Sequence, residues 1–236
     1  MEEYQARFSE FLADSRALFF EKKFLRDGRP TPYFVNLGAA INNASHAERL
    51  SDAYASMIAG RIEKGLRVTT LFGPAYKGIS LAIGAQSSLW REHGINLGVV
   101  YDRKEAKDHG EGGMFIGDFP ENAGVYLIDD VITSAQTKED SLRKIRDYSK
   151  NENRNDISVV GCGIAFDRQQ KNLAGEDAIK SFTERTRVSV DSIVGAKETI
   201  RYLFELGHPL IINGLRQRMD TKTYDNFQRY METYGT

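Results

Sequence analysis

A single cysteine, Cys162, is all the chain contains, so no intrachain disulfide can form and a reducing compartment is the natural setting. Net charge is equally scarce. Lys and Arg total 32 against 33 Asp and Glu, a formal balance of −1 that argues against a general binder of nucleic acid or of membrane surfaces. No apolar run approaches membrane-spanning length. The opening MEEYQARF lacks the basic-then-apolar order of a secretory leader. Walker spacing and a dinucleotide fingerprint are both missing; Gly161-Cys162-Gly163 lies inside an apolar run and lacks the third glycine. There is no internal repeat and no Gly/Ser linker. These absences predict one cytoplasmic domain over 1–236, without nucleic-acid or membrane partners.

What is present is an alternation of periods. Tyr4, Phe8, Phe11, Leu12, Leu18 and Phe19 fit one face of an N-terminal helix. Between Phe24 and Phe34, Asp-Gly and two prolines mark a turn between short extended pieces. Ser45 with Glu48 reads as a capping box for a helix carrying Leu50, Ala53, Met57, Ile58 and Ile62. Strands are expected at Val68 to Phe72, Leu97 to Tyr101, Val125 to Ile128, Ile157 to Phe166 and Val188 to Val194. Helices fall between them, and Ala196 to Leu206 follows the last. The charged, glycine-containing stretch Asp102 to Asp118 predicts a mobile surface loop. Tyr224, Phe227, Tyr230 and Met231 predict a helical tail, so 205–236 is expected as a C-terminal helical extension. The whole predicts an α/β fold, with a mainly parallel central sheet and helices on both faces.

Ligands of such sheets sit beyond the carboxyl ends of the strands. The stretch VYLIDDVITSAQT, Val125 to Thr137, supplies such an end: an apolar strand, paired acids Asp129 and Asp130, a hydroxyl-rich turn, then a helix from Lys138. That order sets free N–H groups and a positive helix end beside two carboxylates, which suits a sugar phosphate. A plain alternative exists: Thr137 with Asp140 as a helix cap, and the acids as strand-end solvation. GPAYKG, Gly73 to Gly78, joins turn glycines to Lys77; it is either an anion cradle or a turn with an exposed lysine. Arg103, Lys104, Lys107 and His109 cluster in RKEAKDHGEGG, which on composition alone is a solvated loop.

The acid-pair stretch resembles the phosphoribosyl-diphosphate motif of the type I phosphoribosyltransferases. With GPAYKG upstream, the Arg-Lys-x-x-Lys-x-His-Gly loop and Asp167-Arg168-Gln169 downstream, the chain resembles orotate phosphoribosyltransferase from about Leu25 to Leu203. The resemblance implies transfer of a phosphoribosyl group from phosphoribosyl diphosphate to orotate with Mg²⁺, giving orotidine 5′-monophosphate and pyrophosphate. It implies that Asp129 and Asp130 hold the ribose hydroxyls, that the backbone of Thr133, Ser134, Ala135, Gln136 and Thr137 cradles the 5′-phosphate, and that Val131 and Ile132 also belong to the phosphoribosyl-diphosphate site. Arg26, Tyr76, Lys77, Arg103, Lys104, Lys107 and His109 would bind the diphosphate, and Lys77, Lys107, His109 and the acid pair would carry catalysis. Arg168, Thr133, Phe34 and Val35 would bind orotate, with Phe34 over its ring. The metal would be held mainly by substrate and water. A homodimer with a shared site is implied as well. The chain departs from the usual family pattern at a glycine-free phosphate loop, at Arg26 in place of Lys, and at Val35 in place of a second aromatic residue. Two rival readings stand beside this one: a transferase for another base, and a phosphoribosyl-diphosphate-sensing regulator on the same fold. Arg168 and the Arg103–His109 loop speak against the first, and the absence of a basic recognition helix speaks against the second.

Overall fold

The computed structural model describes residues 1–25, 28–107, 113–132 and 136–236, with the side chains of 104–107 left out. Within these residues the chain forms two sheets and seven α-helices. The larger sheet contains β3 (Thr70–Gly73), β4 (Gly98–Lys107), β5 (Gly113–Ile116), β6 (Gly124–Val131), β7 (Ser158–Asp167) and β8 (Val190–Gly195). Its order is β5-β4-β3-β6-β7-β8, all parallel except the edge strand β5. The smaller sheet, order β10-β9-β1-β2, contains β1 (Leu18–Phe24), β2 (Pro30–Val35), β9 (Leu210–Ile212) and β10 (Leu215–Gln217).

Strand β6 shows why the large sheet is covered on both sides. Val125, Tyr126, Leu127 and Ile128 are all fully buried. Successive side chains point to opposite faces. Tyr126 and Ile128 join the core that also holds residues of α1 (Glu3–Asp14), α2 (Ala44–Glu63), α3 (Lys77–His93) and α6 (Ala196–Leu206). Val125 and Leu127 join a second core with Leu142 and Ile145 of α4 (Gln136–Asn151) and Phe182 of α5 (Ala178–Thr186). A continuous apolar run is what a strand buried on both faces requires.

Glycines allow two close approaches. A Cβ on Gly78 would stand 2.6 Å from Pro74 Cδ and 2.9 Å from the Ile128 carbonyl oxygen, so the turn from β3 into α3 presses directly on β6. Gly161 and Gly163 flank the Tyr126 ring: a Cβ at either would lie 2.6 or 2.9 Å from its edge. The Gly161-Cys162-Gly163 run is therefore explained by packing.

Several boundaries depart from the sequence reading. Leu18 and Phe19 belong to β1, because α1 ends at Asp14 and Arg16 turns the chain at φ 60°. The cap of α2 is Asn43, whose side chain accepts from the His46 N–H at 2.9 Å; it replaces the expected Ser45–Glu48 box. The expected loop Asp102 to Asp118 is largely a strand pair: β4 continues to Lys107 and β5 returns from Gly113, with Asp102 opposite Phe115. Its anchor is aromatic. The Phe115 ring meets Phe72, Phe119 and Tyr148 edge-on at centroid distances of 5.8, 5.5 and 5.3 Å. The tail is not purely helical either: β9 and β10 add to the small sheet beside β1, and α7 (Thr221–Tyr234) then packs on β2. No described helix is long and apolar enough to cross a membrane.

Candidate active site

Parallel order fixes where the polar strand ends meet. β3, β6 and β7 are parallel neighbours, so their carboxyl ends open on one edge of the sheet: Val131 and Asp167 finish together, and Gly73 stops level with Ile128. The turn into α3, the start of α4 and the segment after Asp167 all leave from that edge. Asp129 and Asp130 lie within β6, not beyond it. Asp130 sits opposite Asp129 in the strand's alternation, and the local bonds steady both. The Asp130 N–H donates to Asp129 Oδ1 at 2.9 Å, and the Val131 N–H donates to Asp130 Oδ1 at 2.8 Å.

Each acid has its own cation. Lys77 Nζ donates to Asp130 Oδ2 at 2.7 Å; the lysine side chain is 67% exposed and the carboxylate 17%. Lys138 Nζ donates to Asp129 Oδ2 at 2.6 Å and to the Val131 carbonyl at 2.7 Å, and this lysine side chain is only 5% exposed. From behind, the Tyr54 hydroxyl donates to the Asp129 carbonyl at 2.7 Å. Burial, and then the charges of Asp130 and Asp129, push the Tyr54 phenol well above its ordinary pKa, so it stays a donor.

At the neighbouring end, Asp102 binds the turn to the strand pair. Its Oδ1 accepts from the Ala75 N–H at 2.8 Å, and its other oxygen pairs with Lys144 of α4. The Ala75–Tyr76 peptide is cis. Tyr76, at the cap of α3, is largely exposed beside Lys77, and Arg103 follows on β4, half-buried.

Past β7 stands Arg168, 7% exposed. Its Nη2 donates to Thr31 Oγ1 at 3.1 Å and its Nε to Gln170 Oε1 at 3.2 Å, while its Cζ lies 4.5 Å from the Tyr33 ring centroid. Among the described residues no carboxylate is within ion-pair distance of it. Tyr33 is itself held: Gln170 Nε2 donates to its hydroxyl at 3.0 Å, and that hydroxyl donates to the Arg168 carbonyl at 3.3 Å. Burial raises the Tyr33 phenol pKa. The tail completes this wall. Phe227 and Tyr230 of α7 meet Tyr33 edge-on at 5.5 and 6.2 Å, and 234–236 bonds to the backbone of Gln169 and Lys171. Burial also raises the pKa of the adjacent Asp167.

The structure thus brings together Lys77, Tyr76, Arg103, Asp129, Asp130, Val131, Gln136, Thr137 and Arg168 along one edge. Gln136 and Thr137 open α4 and are exposed; Ile132 is buried in the second core. The Thr137–Asp140 cap finds no support, since Asp140 accepts from Gln136 and pairs with Arg143. Phe34 falls on the face of β2 opposite Tyr33 and packs on Phe19 at 5.8 Å, so the ring on the Arg168 side is Tyr33. Val35 packs against the main core. Arg26, His109, Thr133, Ser134 and Ala135 lie outside the described residues, as do the side chains of Lys104 and Lys107. The sequence reading missed Tyr54, Lys138, Asp102 and the Thr31–Tyr33–Gln170 shell. Lys138 carried a usable signal: a cation in the first turn of a helix, where the dipole disfavours it.

No protein-family model matches the chain. Curated relatives do. The orotate phosphoribosyltransferase of Bifidobacterium adolescentis is 36% identical over 206 residues, covering 85% of this chain and 84% of the relative. That of Hamiltonella defensa is 32% identical over 235 residues, covering 100% and 97%. Among solved structures, orotate phosphoribosyltransferase of Francisella tularensis superposes with a TM-score of 0.78 at 28% identity, covering 98% of this chain and 100% of that one.

Proposed function

The chain belongs to the orotate phosphoribosyltransferase family, and on that premise we propose how the edge formed by β3, β6 and β7 performs the transfer of a 5-phosphoribosyl group to orotate. The observation that carries the reading is Arg168. A guanidinium this buried ordinarily has a carboxylate, and this one has two neutral side chains and an aromatic face. Its remaining donors suit a planar carboxylate in a two-pronged contact, which is what orotate offers and uracil or adenine lacks.

The acid pair stands where a ribose would expose its hydroxyls, with Asp130 exchanging Lys77 for substrate. The first-turn N–H groups of α4 suit a 5′-phosphate, and the proposed phosphate-binding stretch is Thr133 to Thr137, of which 133–135 lie outside the described residues. As the C1′–O bond lengthens, the ribosyl carbon becomes oxocarbenium-like and negative charge moves onto the leaving diphosphate. Lys77 and Arg103, with Arg26, Tyr76, Lys104, Lys107 and His109 as further members, stabilise that charge. Arg168, with Thr133, orients orotate so that its ring nitrogen forms the new bond to C1′. Among the described residues no group of three His, Cys, Asp or Glu could hold a metal, and each site acid already faces an ammonium. That donor set fits a Mg²⁺ ligated chiefly by substrate oxygens and water, with Asp129 or Asp130 within its reach. When bound, the ion would neutralise part of the diphosphate charge. The reading extends to a cytoplasmic homodimer in which part of the Asp102 to Asp118 stretch, with Lys107, reaches the neighbour's site; the buried, free Cys162 suits a reducing compartment.

The test is base choice. Initial rates with phosphoribosyl diphosphate, Mg²⁺ and orotate, uracil or adenine should show turnover with orotate and none above background with the others. Comparable rates with uracil would remove the role given to Arg168.

A further inference from the structure

Buried lysines are rare, and a lysine in the first turn of a helix opposes the helix dipole. Lys138 is both. It lies in the opening turn of α4, is 4% exposed, and reaches back across the segment between β6 and α4 to Asp129 Oδ2 and the Val131 carbonyl. One ammonium therefore ties the end of β6 to the start of α4 and fixes one acid of the pair. Lys77, on the other acid, is two-thirds exposed and can leave at little cost. Lys138 cannot, because removing its partner would strand a buried charge. The two ion pairs are thus unequal, although the two acids are adjacent in sequence.

We infer that Lys138 is a positioning residue for phosphoribosyl-diphosphate binding: it locks the Asp129 carboxylate and the β6–α4 spacing, leaving Asp130 as the acid that exchanges partners with substrate. This rests on the reading of the site as a phosphoribosyltransferase site. The α4 end of this chain has no described glycine, and the clamp supplies by an ion pair the fixed approach of strand end to helix start.

The test measures KM for each substrate in Lys138→Met, Lys138→Arg, Asp129→Asn and the Lys138→Met/Asp129→Asn pair. Lys138→Met should raise KM for phosphoribosyl diphosphate at least tenfold and leave that for orotate within twofold. Lys138→Arg should recover part of the loss. The double variant should be no worse than the worse single one, because both remove the same link. The double variant also keeps the question open to refutation if Lys138→Met fails to fold, since it leaves no unpaired buried charge; it should fold and show the same raised KM. A KM for phosphoribosyl diphosphate within twofold of wild type in either Lys138→Met or the double variant would overturn the inference, as would equal rises for both substrates or single effects that multiply. A wild-type protein inactive with orotate would instead refute the function on which this rests.

Discussion

Replacing Arg168 by alanine separates the two substrates. In the free protein the guanidinium donates to Thr31 and Gln170 and lies on the Tyr33 ring, so the substitution removes those bonds and leaves two polar side chains to re-pair. Losing a charge-assisted hydrogen bond to a substrate carboxylate costs about 1.5–3 kcal/mol, or roughly ten- to hundredfold in apparent affinity. The KM for orotate should rise by that factor. The KM for phosphoribosyl diphosphate should stay within about twofold, because Asp129, Asp130 and Lys77 make no bond to Arg168. Stability should fall modestly, by about 1–2 kcal/mol, since the cation–π contact and two hydrogen bonds from the guanidinium to neutral acceptors are lost, while the cost of burying an unpaired charge is relieved and no ion pair is broken. A lysine at this position would keep the charge and lose the fork, so Arg168→Lys should fall between wild type and the alanine variant. The assay is initial-rate kinetics with each substrate varied in turn, with thermal unfolding as the control. An unchanged orotate KM in a folded Arg168→Ala protein would refute the reasoning.

Asp130→Asn should cut turnover while lowering stability by no more than about 1 kcal/mol, because its partner Lys77 is largely solvated; a large loss of Tm would contradict this. Gly161→Ala should destabilise by about 1–3 kcal/mol through overpacking against the Tyr126 ring, read by denaturant unfolding. Burial raises the Asp167 pKa, so the charged form weakens the fold as pH rises through that value. Asp167→Asn should therefore raise Tm at pH 7–8, and the gain should shrink as pH falls through the raised native value and be gone at the ordinary carboxylate value of about 4; a gain independent of pH would show that burial is not the cause. Lys107→Ala and Asp129→Ala, each expected to be nearly inactive, should regain activity when unfolded and refolded together if the neighbour's site is served. Mixed subunits found by mass spectrometry without recovered activity would exclude the shared site.

The central sheet was legible because β6 and β7 are apolar on both faces, a pattern that hardly any exposed segment shows. The acid pair was legible from its place after such a run. Other features escaped for identifiable reasons. Composition made Asp102 to Asp118 look like solvent-exposed loop, since one buried-side aromatic, Phe115, carries its anchoring and one residue barely moves an average. The three-residue strands β9 and β10 are too short for alternation to register, and they exist because β1 offers an edge. Phe34 and Tyr33 are adjacent, so which of them faces the site depends on a strand parity that only the pairing of β2 with β1 fixes. Lys138 was legible only as the start of a helix, because its partners, Asp129 and the Val131 carbonyl, meet it only once strand and helix have packed.

The central claim is that one edge of the sheet joins orotate to phosphoribose and releases pyrophosphate. Identifying the products by mass spectrometry, after incubation with orotate, phosphoribosyl diphosphate and Mg²⁺, tests it directly. The account predicts orotidine 5′-monophosphate and pyrophosphate in equal amounts, with orotate consumed to match. Pyrophosphate formed with ribose 5-phosphate while orotate is untouched, or no reaction from a folded protein, would contradict it.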